Sequence, residues 1–412
     1  MQRKEPQPRL IQAVIEMFRL PDLRWKLLFT LGILIAFRFL AHIPLPGVDL
    51  EALRNFFEQN QLFGILDLFV GGAMKNFSVV AMGVYPYITA SIIMQLLVPV
   101  VPSLQVLSQQ GEAGQRKVNR ITHLLTVPLA ALQGYAMLTL LRSQGILGHF
   151  EPLTLVAIVL SMTAGTVFLV WLGELITERG IGNGISIIIF AGIVAGLPSM
   201  IGEGFIVARD PVGLTTFIIL ALATIVFIVI FIEAHRRIPV QYARSAFRSG
   251  RMYRQSGSTY IPLRVNTAGM IPLIFAWALL LLPGTIASWF PGNAFADSII
   301  HIFNPANAAP LGLVYWGLFF ALTIAFTFFY TIIIFEQMNL PQTLQQQGGF
   351  IPGVRPGKAT ADYLHRVIVR LTFGGALFLA IVAVMPFIAR EISGVTALTI
   401  SGMALLIVVG VA

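Results

Sequence analysis

Apolar runs, most of them about one bilayer thick and separated by polar stretches, dominate the pattern along this chain. A hydrocarbon core about 30 Å thick takes roughly 20 apolar residues per helical crossing. Runs near 25–43, 77–100, 121–141, 152–175, 185–202, 213–233, 267–289, 311–335, 371–388 and 397–412 approach that length and predict about ten transmembrane helices. Two features break the rhythm. Between Pro46 and Phe77, the piece Phe63-Gly64-Ile65-Leu66-Asp67-Leu68-Phe69 is apolar but too short to cross, and Gly71-Gly72 follows it. A half-helix over about 65–75 that enters and turns back fits, because such backbone must lie in protein or line a cavity. The other feature is a pair of long loops, 234–266 and 336–370, too long for turns and too basic to be buried.

The segment 1–24 follows a different period. Leu10, Ile11, Val14, Ile15 and Phe18 recur at helical spacing opposite Gln12, Glu16 and Arg19, until Pro21 and Asp22 end the pattern. This reads as an amphipathic helix, lying on the membrane surface or covering the protein's own base. It does not read as a cleaved signal peptide, which needs an apolar stretch followed by small residues.

Charge then gives the orientation. The chain holds 27 lysines and arginines. With the N-terminus inside, Arg54, Lys75, Arg142, Arg209 and Arg390 lie outside and Arg38 lies within the first run, while all the others lie inside. That asymmetry predicts cytoplasmic termini and places both long loops in the cytoplasm. Composition agrees: 57% of the residues are hydrophobic and 11% charged, against roughly 25% charged in soluble domains. Cysteine is absent, which excludes disulfides and thiolate metal sites. Splitting the runs into helices 1–5 (25–203) and 6–10 (204–412) predicts two inverted halves. Span count alone carries that reading, because the halves share no residue-level similarity.

Catalytic chemistry is sparse. His42, His123, His149, His235, His301 and His365 all fall at run ends or in loops, and Glu174 and Glu233 sit near the inner ends of theirs. A proton-coupled transporter carries acidic or histidine relays at membrane depth, and none is found here. Gly353-Val354-Arg355-Pro356-Gly357-Lys358-Ala359 lacks both the first glycine and the closing Ser/Thr of a phosphate loop. No cofactor or nucleotide site is expected, so ATP-driven work must come from a partner.

Five segments are distinctive: Ile43-Pro44-Leu45-Pro46-Gly47-Val48-Asp49, Met82-Gly83-Val84-Tyr85-Pro86-Tyr87-Ile88, and Trp171-Leu172-Gly173-Glu174 running on through Thr177-Glu178-Arg179-Gly180-Ile181-Gly182-Asn183-Gly184-Ile185-Ser186. Arg236-Arg237-Ile238-Pro239-Val240-Gln241-Tyr242-Ala243 and Gly349-Phe350-Ile351-Pro352-Gly353-Val354-Arg355-Pro356-Gly357 stand in the two long loops. Together they resemble the SecY family of bacterial protein-conducting channels. The resemblance implies an all-α membrane protein with an hourglass pore between the halves. It implies a pore ring at Val84, Ile88, Ile185, Ile189, Met270, Ile274 and Ile407. Aliphatic side chains there offer an ion no ligand to replace its hydration.

By the same resemblance, the half-helix is a plug carrying Ile65, Asp67, Phe69, Gly71 and Gly72. Thr89, Gln95 and Asn266 fall along a lateral gate to lipid, where polar residues can equally tie neighbouring helices together. Arg236, Arg237, Arg244, Arg248, Arg251, Arg254 and Arg355 fall on surfaces that dock the SecA ATPase or the ribosome, and such charges also set topology and bind anionic lipid. SecE-like and SecG-like small subunits, signal peptides, unfolded preproteins and membrane lipids are the implied partners, and the bacterial inner membrane the implied location. The implied function is passage of unfolded secretory chains, with lateral release of hydrophobic segments. The competing class is a secondary transporter of a small solute. The family continues into a charged tail where this sequence stops at Ala412, so either the sequence is cut short or the last span is.

Overall fold

The computed structural model describes residues 20–49, 51–53, 67, 70–108, 110–143, 146–147, 151–207, 211–248, 251–287, 290, 293–303, 311–393 and 402–411. The amphipathic pattern at Leu10–Arg19 lies outside them.

The apolar runs fold as helices whose ends are set by proline, glycine and polar flanks. Helix α1 (Pro21–Leu40) opens on a proline, where a missing N–H costs nothing because the first turn has no partner for it. Helices α2 (Tyr85–Val100) and α3 (Pro102–Ser108) meet at a 102° bend. There follow α4 (Glu112–Ser143), α5 (Pro152–Arg179), α6 (Gly184–Val207) and α7 (Pro211–Glu233). After a sheet come α8 (Ile271–Ala287), α9 (Ala294–Ile302), α10 (Leu311–Met338) and α11 (Leu340–Gln346). The last two helices are α12 (Lys358–Ser393) and α13 (Gly402–Val411). Among the described residues, α4, α5, α10 and α12 are each long and apolar enough to cross a bilayer, and the bent α2–α3 pair makes up to five. Ten therefore stands as a count of apolar runs in the sequence.

Three boundaries differ from expectation for identifiable reasons. The second run was expected to be helical from 77, but residues 71–84 form turns and the helix starts at Tyr85. Gly71, Gly72, Phe77 and Gly83 all have positive φ, which a right-handed helix cannot contain. Helix α12 begins at Lys358, well before the apolar run at 371; hydropathy marks the greasy part of a helix, not its polar first turns. The loop at 234–266 is an antiparallel hairpin of β1 (His235–Arg248) and β2 (Arg251–Arg264). Strand β3 (Gly349–Phe350), from the other long loop, pairs with β1 at Gln241 and Tyr242 to give the order β2-β1-β3.

The chain forms two compact units. Unit 1 comprises residues 1–94 and 117–198 with Val411; unit 2 comprises 95–116, 199–410 and Ala412. Unit 1 is cored by Leu53, Phe77, Leu141, Ile158 and Met162. The turn region is stitched to the chain after α1: the Leu45 N–H donates to the Phe77 carbonyl (2.8 Å) and the Val79 N–H to that of Ile43 (3.1 Å). In unit 2, α12 packs against α7 and α10, and Phe231 stacks on Phe378 with centroids 4.4 Å apart.

Candidate functional site

The most specific motif of the sequence, Trp171 to Ser186, forms the tight connection from α5 to α6. Thr177 ties it at both ends: its hydroxyl donates to the Gly173 carbonyl (3.0 Å) and accepts from the Gly184 N–H (2.9 Å). The Asn183 side chain then accepts from the Ser186 N–H at 3.2 Å, the arrangement that starts a helix. Gly184 is required by proximity, since a Cβ there would lie 1.8 Å from the Gly173 carbonyl oxygen. Backbones in contact, with no side chain between them, fix the first turn of α6 and therefore Ile185 and Ile189.

Ile185 is half-buried and Ile189 buried. Also in unit 1, Val84 is 5% exposed where α2 begins, one turn before half-buried Ile88. In unit 2, Met270 and half-buried Ile274 sit one turn apart at the start of α8, and Ile407 on α13 is 1% exposed. None of these candidate ring residues is presented to lipid as an exposed side chain.

Of the candidate plug residues, Asp67, Gly71 and Gly72 are described, and Ile65 and Phe69 lie outside the described residues. The expected half-helix over 65–75 is corrected in part: Asp67 and Val70 are helical, but 71–77 is a chain of turns. Asp67 is buried and organises that turn, accepting from the Met74 (2.9 Å) and Lys75 (3.1 Å) N–H groups. The Gly72 N–H donates to the Asp67 carbonyl. Against this turn lies Arg38 of α1, whose guanidinium donates to the Gly71 carbonyl.

The candidate gate residues fall on both units. Thr89, in unit 1, donates to the Tyr85 carbonyl and accepts from Gln133 of α4 at 3.4 Å. In unit 2 Gln95 is half-buried near the end of α2, and Asn266 carries a buried Oδ1 with no hydrogen-bond partner. Thr89 therefore ties α2 to α4, the bland alternative allowed above. Gln133 gave no signal in the sequence beyond being polar within an apolar run. A second tie that sequence reading missed joins the same unit: His123 Nε2 lies 3.1 Å from the Glu174 carboxylate, with the Tyr87 ring edge-on to the imidazole at 5.5 Å. Among the described residues, no cluster of His, Asp and Glu could hold a metal ion.

The candidate docking arginines converge in unit 2. Arg236, Arg237, Arg244 and Arg248 lie on β1, with Arg251 and Arg254 on β2; the register sets Arg248 opposite Arg251 and Arg254 opposite Ser245. Arg236, Arg237 and Arg355 are exposed. The Arg237 guanidinium sits 4.9 Å from the Tyr260 ring centroid, an attraction between a cation and a π face. Beneath them, Ile238, Val240, Leu263, Phe335, Leu344, Ile351 and Leu364 share one core. The two long loops are thus one folded body rather than separate projections. Thr360 fixes the approach to α12 by donating to the Arg355 carbonyl at 2.9 Å. The same unit holds a cavity of about 840 Å³ whose rim includes Glu112, Glu336, Asp362 and His365.

The SecY family model matches residues 78–412. The protein translocase subunit SecY of Thermus thermophilus is 42% identical over 420 residues, covering 98% of this chain and 93% of that protein. SecY of Halalkalibacterium halodurans is 43% identical over 417 residues, covering 98% and 95%. A solved structure of a protein conducting channel aligns with a TM-score of 0.68 at 17% identity, covering 98% of this chain and 95% of that one. Sec61 in the canine ribosome–channel complex aligns at 0.65, also at 17% identity.

Proposed function

From the premise that this chain belongs to the SecY family, and so is the membrane-embedded subunit of a protein-conducting channel rather than an enzyme or a small-solute transporter, we propose how its own residues do the work. The waist is formed by Val84, Ile88, Ile185, Ile189, Met270, Ile274 and Ile407. The single observation that carries this is the burial of Val84 just before α2, of Ile189 on α6 and of Ile407 on α13, while α2 and α6 expose apolar side chains elsewhere, at Leu96, Leu97 and Val194. An aliphatic waist excludes ions because stripping their water without replacement is costly, while an extended polypeptide slides past surfaces that bind nothing.

The segment around Asp67 to Lys75 serves as the plug, and Thr89, Gln95 and Asn266 border the lateral exit through which hydrophobic segments reach lipid. A related solved structure is described as one whose plug domain stabilizes the closed state and maintains a membrane seal. The basic sheet with Arg355 docks the SecA motor or the ribosome, small SecE-like and SecG-like subunits complete the channel, and the N-terminus is cytoplasmic in the bacterial inner membrane. The inverted halves 25–203 and 204–412 belong to the same reading.

The test is ion conductance in planar bilayers. Ile88→Gly combined with Ile274→Gly is expected to raise the resting leak while preprotein transport driven by SecA and ATP persists. Parental conductance in that double variant removes both residues from the waist, and solute flux without preprotein transport overturns the channel reading itself.

A further inference from the structure

Arg38 lies inside the first apolar run, where a guanidinium keeps its charge and must find a partner or water. Its partner is a backbone carbonyl, that of Gly71. Among the described residues no carboxylate pairs with it. Gly71 is the hinge of the segment proposed above as the plug: the chain is helical at Val70 and turns at Gly71, with φ +69°. A Cβ on Gly71 would meet Arg38 Nη1 at 2.9 Å and Gly192 Cα of α6 at 2.9 Å. The hinge is therefore held between a charge on α1 and the bare backbone of α6.

The two ends of the turn region are held differently. Its far end is fixed by paired backbone bonds, Leu45 to Phe77 and Val79 to Ile43, around the bridge of Pro44 with Ser78. Among the described residues, its near end is held from α1 by the Arg38 side chain. Asp67 Oδ1 accepts from Met74 and Lys75 within the turn, and among the described residues no ion pair joins Asp67 to Arg38. Parting a buried ion pair strands two charges in low dielectric, whereas parting Arg38 from Gly71 strands one charge and a neutral carbonyl. Such a contact can open and close again.

We propose that Arg38 is a clasp: it holds the Gly71 carbonyl while the channel rests, lets go when a polypeptide enters, and leaves the Pro44–Ser78 bridge as the tether that returns the segment. Arg38 is a positioning residue and touches no substrate. The proposal rests on the plug reading, and the experiment separates the two.

The full chain, reconstituted as the channel, is compared with its Arg38→Gln and Arg38→Lys variants. Resting conductance is measured alongside the rate at which a polar maleimide labels a cysteine introduced as Ala73→Cys. The chain has no other cysteine, and Ala73 is fully buried. Losing a charged hydrogen bond is expected to raise both readouts about tenfold or more for Arg38→Gln, with Arg38→Lys in between. A purely structural role would instead lower recovery and preprotein transport at unchanged conductance, and that result overturns the clasp. A third variant deletes the plug segment itself, residues 65–75. If that deletion leaks and Arg38→Gln does not, the clasp falls and the plug stands. If the deletion is silent, both fall.

Discussion

Arg38 and Arg355 carry the same guanidinium into opposite circumstances. In unit 1 Arg38 is half-buried against a backbone carbonyl, in a body whose helices touch backbone to backbone at Gly173 and Gly184. In unit 2 Arg355 is exposed on a connection between β3 and α12, above a small apolar core that joins two loops distant in sequence. In low dielectric one charged hydrogen bond weighs heavily, whereas in water a lone charge contributes little to stability and much to encounter with a partner. On the proposals above, unit 1 uses charge to hold a moving part and unit 2 uses it to present a face.

The comparison breaks most visibly at Gly184. Gly184→Leu would drive a side chain into the Gly173 carbonyl, and overpacking of this kind costs about 3 kcal/mol or more. Denaturant titration in detergent should show that loss, while the same substitution at Gly374, which has open space around it, should not. Next in size, Ile238→Ala empties a site 1% exposed beneath the sheet and should cost about 2–5 kcal/mol of local stability. Hydrogen exchange in β1 should rise, and partner docking should weaken although no charge has changed. Docking that survives a loosened sheet would show that the arginines act as loose charges rather than as a folded face. Smaller again, Arg355→Glu should weaken partner binding about tenfold with steep salt dependence, with the melting transition unmoved.

What the sequence made legible follows from which signals are local. The α5–α6 connection could be read from Thr177, Asn183 and its glycines, because capping and close approach depend on residues a few positions apart. The apolar runs marked the helices, though not the turn region 71–84, where positive φ at Phe77 has no composition signature. The hairpin was legible in principle: Ile238, Val240 and Tyr242 alternate with Pro239 and Gln241, a period-2 pattern, but seven arginines drew the reading toward a basic cytoplasmic loop with no strand assigned. Pairing of β1 with β3, more than a hundred residues apart, leaves no local trace. Nor does the Arg38 contact, since every residue carries a carbonyl.

The central claim is that a translocating chain threads the aliphatic waist, and site-specific photocrosslinking tests it most directly. A photoreactive residue is placed at Ile88 or, separately, at Ile274, and a secretory chain is halted midway by a folded C-terminal domain. The account predicts that both positions crosslink to the same stretch of the halted chain, while exposed Leu160 does not. Efficient transport with neither waist position crosslinked would contradict it.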